Sequence, residues 1–457
     1  MLTISSNFST SSPPTPTYVL RGHSSPISSL HFSQSKIYLY SGDISGFVAQ
    51  WNLRTFRAES FWKAHGDGIL SIREIVTVDG RVRLLTHARD NLVQLFSLNP
   101  PTSSSRSLLK APSPSSPSPT LSPIWSIEVN ALNFCQLSLL ALPTLQATEK
   151  GKERAVENAE EEMGFEGLIA VPSLTKDDFV DVFHVPSKKR LHRSIGLDQL
   201  SIGTDGKTGS VMAIHLFHLP SPSSPSPQLH LLIGFESGLL TLLKFTPTTS
   251  FHLPASSTSS TYFPIEGKMV SESEGWELVW MEKPHKDAIM SISVTSDQRF
   301  AVTVGADHRI SKYRIFDLNE EESKLPRVHT ETSDLPGKSV VRVRGDSKVL
   351  ATAGWDGEAR VYSFKSLKPL AVLSHHRGSL QALDFANITN TSKGEITGEG
   401  NENREAEDKG ETEDKAEESD SDSDEDEGPG GGQKGLLATG GQDMKICLWE
   451  VYPPASS

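Results

Sequence analysis

One short pattern returns along the whole chain, and any fold open to this sequence must accommodate that return. It reads LYSGDISGFVAQW (39–51), LLTHARDNLVQLF (84–96), AVPSLTKDDFVDVF (170–183), LIGFESGLLTLL (232–243), AVTVGADHRISKY (301–313), LATAGWDGEARVY (350–362) and LATGGQDMKICLW (437–449). Aligned on their last aromatic or apolar residue, five copies carry an aspartate six positions earlier: Asp90, Asp177, Asp307, Asp356 and Asp443. Ser45 and Ser237 stand there in the other two. Four residues further back lie Ser41, Thr86, Ser173, Thr303, Thr352 and Thr439, with Ile233 in the fourth copy. Self-similarity of this kind overrides the length prior, which would divide 457 residues into about three domains.

A second feature precedes four of the copies. RGHSSPISSLHF, KAHGDGILSI, KPHKDAIMSISV and SHHRGSLQALDF each place a histidine (His23, His65, His285, His376) four residues ahead of an Ile or Leu that opens a strand-like run. Alternation such as Ile27, Ser29, His31 against Ser28, Leu30, Phe32 has the period of a half-buried strand. No helical periodicity competes with it, so the sequence predicts an all-β chain dominated by antiparallel pairing.

Gly-His followed by a Trp-Asp-like end at this repeat length resembles the WD-repeat family, and the resemblance covers nearly the whole chain outside its insertions. It implies a seven-bladed β-propeller of four-stranded blades. In that family the His, the Ser/Thr, the turn Asp and the Trp form a hydrogen-bonded tetrad that locks a blade. Carried over, His376, Thr439, Asp443 and Trp449 make a full set. His65, Thr86 and Asp90 make a second, ended by Phe96, which cannot donate. His285, Thr303 and Asp307 make a third, and the sixth copy has no histidine. A family repeat supplies the outer strand of one blade and the inner three of the next. The last copy therefore needs an outer strand from elsewhere, and PTPTYVLRGH (14–23) is placed beside it, closing the ring and removing an exposed edge.

The expected organisation is a disordered N-terminus (1–13), a single propeller over 14–452, and a tail at 453–457. Polar insertions interrupt it at about 100–123, 146–166, 220–227, 247–275 and 387–435, rich in Pro/Ser or in charge and expected to be disordered surface loops. The net charge of −13 is local: 17 acidic and 3 basic residues lie between Glu395 and Glu427. The remainder is close to neutral, with no basic excess to draw nucleic-acid phosphates. Two cysteines, Cys135 and Cys447, exclude a disulfide framework and a cysteine zinc site. Neither a signal-like N-terminus nor a membrane-length apolar run is present, so a soluble intracellular protein is expected.

Recurrence of His, Thr and Asp in copy after copy argues for structural tetrads over a hydrolase triad, which a single active site would need only once. His184, His192, His215 and His218 lack metal-ligand spacing, GTDGKTGS (203–210) lacks the Gly-Lys-Ser/Thr ending of a phosphate loop, and PSKKR (186–190), with only three basic residues, reads as a solvated loop in preference to a nuclear import signal. No catalytic residue, cofactor or metal is expected, nor a membrane, direct nucleic-acid or small-molecule substrate partner. Ser419, Ser421 and Ser423 each carry an acidic residue at +3, a pattern suited to acidophilic kinases.

A narrower resemblance rests on PTYVLRGHSSPISSLHF, SGFVAQWNL, WKAHGDGILSI, ARDNLVQLF, GWDGEARVYS and LATGGQDMKICLWEVY. It is to WD-repeat subunits of a nuclear multiprotein complex tied to chromatin remodelling and to maturation of large phosphatidylinositol-3-kinase-like kinases. What it implies is a nuclear, non-catalytic scaffold with protein partners. Two alternatives stand beside it. A cullin-4 ubiquitin ligase receptor would use a Trp-Asp-x-Arg end, for which Trp51-Asn52-Leu53-Arg54 offers the frame with Asn for Asp. A histone-peptide reader would need an acidic or aromatic pocket on one propeller face.

Overall fold

The structure is a computed structural model, and it describes residues 14–77, 79–98, 121–131, 134–142, 164–197, 208–221, 224–246, 275–315, 327–330, 337–386 and 435–451. Among these, 28 strands and no helix form seven four-stranded antiparallel sheets, a seven-bladed β-propeller. The first strand, β1 (Tyr18–Arg21), stands apart from the blade that follows it. Blade 1 is β2 (Ile27–Phe32), β3 (Tyr38–Asp43), β4 (Phe47–Asn52) and β5 (Arg57–Lys63). Blade 2 is β6 (Ile69–Val76), β7 (Val82–Ala88), β8 (Leu92–Leu98) and β9 (Trp125–Glu128). Blade 3 is β10 (Ser138–Ala141), β11 (Gly167–Pro172), β12 (Val180–Val185) and β13 (Arg190–Ile195). Blade 4 is β14 (Val211–Ser221), β15 (Ser224–Phe235), β16 (Leu240–Phe245) and β17 (Trp276–Glu282). Blade 5 is β18 (Ile289–Val294), β19 (Phe300–Gly305), β20 (Arg309–Arg314) and β21 (Arg327–Thr330). Blade 6 is β22 (Lys338–Val343), β23 (Val349–Gly354), β24 (Glu358–Ser363) and β25 (Pro369–Ser374). Blade 7 is β26 (Leu380–Phe385), β27 (Gly435–Gly441) and β28 (Lys445–Val451), with β1 as its outer strand.

The pairing of β1 with β28 sets Tyr18 against Leu448, Val19 against Cys447 and Leu20 against Ile446. Apolar clusters lie between successive blades all the way round, among the described residues. One joins Ala382, Ala438 and Leu448 of blade 7 and Leu20 of β1 to Leu30, Ala49 and Trp51 of blade 1. Because each sheet is covered on both faces, middle strands such as β11, β12 and β23 are buried at every position. Outer strands such as β25 stay largely exposed. Each fully buried Leu, Ile or Val contributes about 1.5–3 kcal/mol, so the ring is held by repetition of the same interface.

Two local devices recur. The inner strands β2, β6, β14, β18, β22 and β26 each carry a register shift after their first residue, which turns the second residue toward the ring axis. The turn between the second and third strands needs a left-handed residue, supplied by Gly46 at φ 81°, Gly238 at 82° and Gly357 at 85°. A Cβ at Gly46 would lie 2.3 Å from the His65 carbonyl oxygen, so this turn packs directly on the next blade. Asn91 and Met444 take the same conformation without being glycine.

Two expected insertions need correction at their edges. Within the stretch 220–227 the described residues are strand: β14 runs to Ser221, β15 begins at Ser224, and these two residues pair. Residues 164–166 belong to the ring, with Phe165 in the core between blades 2 and 3 and Glu166 bonded to His184. The expected N-terminal segment (1–13), the bodies of the other insertions, the C-terminal tail and Ser419, Ser421 and Ser423 lie outside the described residues.

Candidate functional site: the ring channel and its upper face

Four histidines are tied into blade-locking networks. His376 Nδ1 lies 2.8 Å from Asp443 Oδ1 and its Nε2 2.9 Å from Thr439 Oγ1, to which Trp449 Nε1 donates at 2.9 Å. The polarity of this chain follows from its ends. An indole can only donate and a carboxylate only accept, so the hydroxyl donates to Nε2 and Nδ1–H donates to Asp443. In blade 2 His65 sits 3.0 Å from Asp90 and 2.7 Å from Thr86, with Phe96 at the tryptophan position. In blade 5 His285 lies 2.8 Å from both Asp307 and Thr303, and Tyr313 stands at the tryptophan position, its hydroxyl accepting from Thr303 Oγ1 at 3.3 Å. Burial alone would raise the carboxyls of Asp90, Asp307 and Asp443. The histidine hydrogen bonds and backbone amides override it and hold all three below the ordinary aspartate value. The hydroxyls of Ser41, Thr86, Thr303 and Thr439 belong to residues that are 0% exposed, so none can meet a substrate.

Spacing missed one tetrad. His23 Nδ1 is 2.7 Å from Asp43, its Nε2 2.7 Å from Ser41 Oγ, and Trp51 donates to the same Oγ at 2.7 Å. Ser45, the residue at the aligned position, bonds instead to Ser25. The other copies diverge. Asp356, with no histidine to meet, pairs with Arg360 at 2.6 Å, and the Thr352 hydroxyl has no partner among the described residues. In the third copy Asp181 rather than Asp177 is the buried acid, bonded to Arg190 and to the Ser194 amide.

The inner strands enclose a channel of about 730 Å³. Their second residues form an upper tier of Ser28, Leu70, Met212, Met290, Ser339 and Gln381. Their fifth residues form a lower tier of His31, Arg73, His215, Ser293, Arg342 and Asp384. Asp384 accepts the Phe32 amide at 2.8 Å, with His31 at 3.6 Å and Arg342 Nε at 4.0 Å.

At the upper face, where the inner strands begin, turns between the second and third strands lie against those beginnings. Ile44, Trp355 and Gln442 donate their amides to the residues just before β2, β22 and β26. Five large apolar side chains stand exposed there: Ile44 48%, Phe134 62%, Leu174 52%, Trp355 40% and Met444 41%. Phe134 and Trp355 border the channel mouth.

The four other histidines weighed as metal ligands do not converge on one another. His184 bonds Glu166 and Ser187, His192 packs against Phe245 and Trp276, and His215 faces the channel while His218 lies further along β14. Among the described residues no group of three His, Cys, Asp or Glu is placed to hold a metal. Arg54 is exposed beyond Trp51, its amide capped by Asn52. The channel's two arginines against one aspartate oppose a basic histone tail.

Comparison with known proteins places these features. Residues 14–52 match the family model "WD domain, G-beta repeat". The chain is 31% identical to ASTRA-associated protein 1 of Aspergillus flavus, over 96% of this chain and 98% of that one. It is 31% identical to the Schizosaccharomyces pombe protein of the same name, over 81% and 93%. Mouse guanine nucleotide-binding protein subunit beta-like protein 1 matches at 23% identity over 96% and 97%. In three dimensions the β-propeller domain of Cps50 (Swd1) from Myceliophteria thermophila superposes with a TM-score of 0.56 at 13% identity, covering 96% of this chain and all of that one.

Proposed function

The chain belongs to the ASTRA-associated protein 1 family, and from that premise we propose that it is a non-catalytic scaffold subunit of the ASTRA complex, acting in the nucleus. The resemblance extends the proposal to chromatin remodelling and to assembly of phosphatidylinositol-3-kinase-like kinases. The observation that carries the scaffold role is the upper face. It offers Ile44, Phe134, Leu174, Trp355 and Met444 to a partner from turns fixed by the ring. Large apolar and aromatic residues presented on a rigid frame are the usual anchors of protein interfaces. The tetrad hydroxyls are buried and so are not open to a substrate, in keeping with a structural part.

Affinity purification of the tagged full chain from its own cells, read by mass spectrometry, tests this reading. Stoichiometric recovery of ASTRA subunits is expected, and Trp355→Glu with Leu174→Glu should reduce it without lowering the melting temperature. Recovery of a cullin-4 adaptor, lost on Arg54→Ala, would replace the reading.

A further inference from the structure

The lower tier of the channel holds two guanidiniums, Arg73 and Arg342, against a single carboxylate, Asp384. Among the described residues the only hydrogen-bond partner of the Arg73 guanidinium is the carbonyl of its neighbour Ile72, at 2.8 Å. Arg342 likewise donates to the carbonyl of its neighbour Val341, at 2.9 Å, and otherwise reaches Ser291 only at 3.5 Å, Gln136 at 3.4 Å and Asp384 at 4.0 Å. Burial, and then each other's charge, push Arg73 down to about 10. Burial first, then these two arginines, hold His31 down to about 3 and His215 to about 4, so both imidazoles are neutral at physiological pH. One positive charge is left, half-buried and with no close carboxylate partner, at the foot of a channel whose upper tier sets Leu70, Met212 and Met290 beside Ser28, Ser339 and Gln381. Charged donors in such a site bind an anion more strongly than they would in water.

We propose that the channel is a binding site for one amphiphilic carboxylate, its anionic end between Arg73 and Arg342 and its apolar part against Leu70, Met212 and Met290. A single charge neutralises the tier, whereas a polyphosphate would over-neutralise it. The ligand is held and not transformed. It comes either from a free small molecule or from an acidic side chain on a partner's peptide, and only the second source rests on the scaffold reading.

Octanoate is the probe, titrated calorimetrically into the full-length chain, with 1-octanol as the uncharged control. Octanoate should bind about tenfold more tightly than octanol, the scale of one charge-assisted hydrogen bond. Arg73→Gln and Arg342→Gln should each weaken it by about tenfold, while the exposed control Arg54→Gln leaves it unchanged. Should either channel arginine prove necessary for folding, Met290→Trp narrows the upper tier and should abolish binding with both arginines in place. Displacement of octanoate by a capped leucine–glutamate–leucine peptide, but not by its glutamine analogue, assigns the peptide source; failure to displace assigns the free molecule. Octanoate binding no tighter than octanol, or unaffected by all three channel substitutions in chains that melt normally, overturns the site. If octanoate fails while ASTRA subunits still co-purify, the channel proposal falls and the scaffold reading stands.

Discussion

At the scale of single residues, a tetrad is defined by what the histidine can reach rather than by distance along the chain. Counting back from the strand end finds Asp90, Asp307 and Asp443, each bonded to its histidine. It fails in blade 1 because the acid sits at the end of β3. From there Asp43 bonds His23 and also receives the Ser45 and Phe47 amides. The legible clue was the only acid in that turn, not its position. Asp43 is 0% exposed, so Asp43→Ala strands three donors and should cost on the order of 1–3 kcal/mol. Ser45→Ala at the aligned position should change stability by under about 0.5 kcal/mol. Urea denaturation of the two variants reads the difference directly. Other buried histidines carry a pH dependence that spacing does not reveal. Burial lowers His87 and His192 from 6.5 to about 3, and both imidazoles are almost fully enclosed. The unfolded chain binds these protons below pH 6.5 and the folded chain does not, so stability is lost as pH falls from 6.5 toward 3. Each such histidine should subtract about 1.4 kcal/mol per pH unit in that window. His87, whose ring nitrogens have no partner among the described residues, is the one to test. His87→Leu should flatten the fall in melting temperature between pH 7 and 5, and an unchanged slope would assign the acid sensitivity elsewhere.

At the scale of elements, strands were readable where polar and apolar residues alternate and faint where both faces are covered. GLIAVP of β11 and VDVFHV of β12 are buried at every position, so neither shows the alternation that marks β2. Pro and Ser at 220–227 suggested a loop. Beyond His230, however, β15 pairs only with β14 and has no β16 residue on its other side. A two-stranded ribbon tolerates proline because half of its backbone groups need no partner. The closing strand β1 is short, with only Leu20 fully buried, yet it covers the outer edge of β28. Leu20 lies at 1% exposure between blades 7 and 1, and Tyr18 stacks on Phe56 at 4.3 Å. Leu20→Ala should cost about 2–5 kcal/mol. Removing residues 1–21 should lower the melting temperature further and promote association through the bared β28 edge. A truncated chain that melts and sediments like the full one would show that β1 contributes nothing to closure.

At the scale of the whole molecule, charge and fold are carried by different parts of the chain. The segment at 392–432 holds all 17 acidic residues of the local run and four basic ones, so its removal takes the net charge from −13 to about zero. The ring's hold on this connection lies outside it. Phe385 pairs with Leu437, and the Ala386 amide bonds the Leu436 carbonyl at 2.9 Å, closing the β26–β27 hairpin at its base. Closing a flexible connection costs only about 0.6 kcal/mol more for each doubling of its length. Replacing 392–432 with a short Gly/Ser linker should therefore leave the melting temperature nearly unchanged. Solubility near neutral pH should fall, because self-repulsion is lost, and any partner binding through the segment should lose its dependence on salt. A large drop in melting temperature would mean that the segment packs on the ring. If folding and low-salt co-purification both survive, the partner surface lies on the ring itself, where Trp355 and its neighbours already stand exposed.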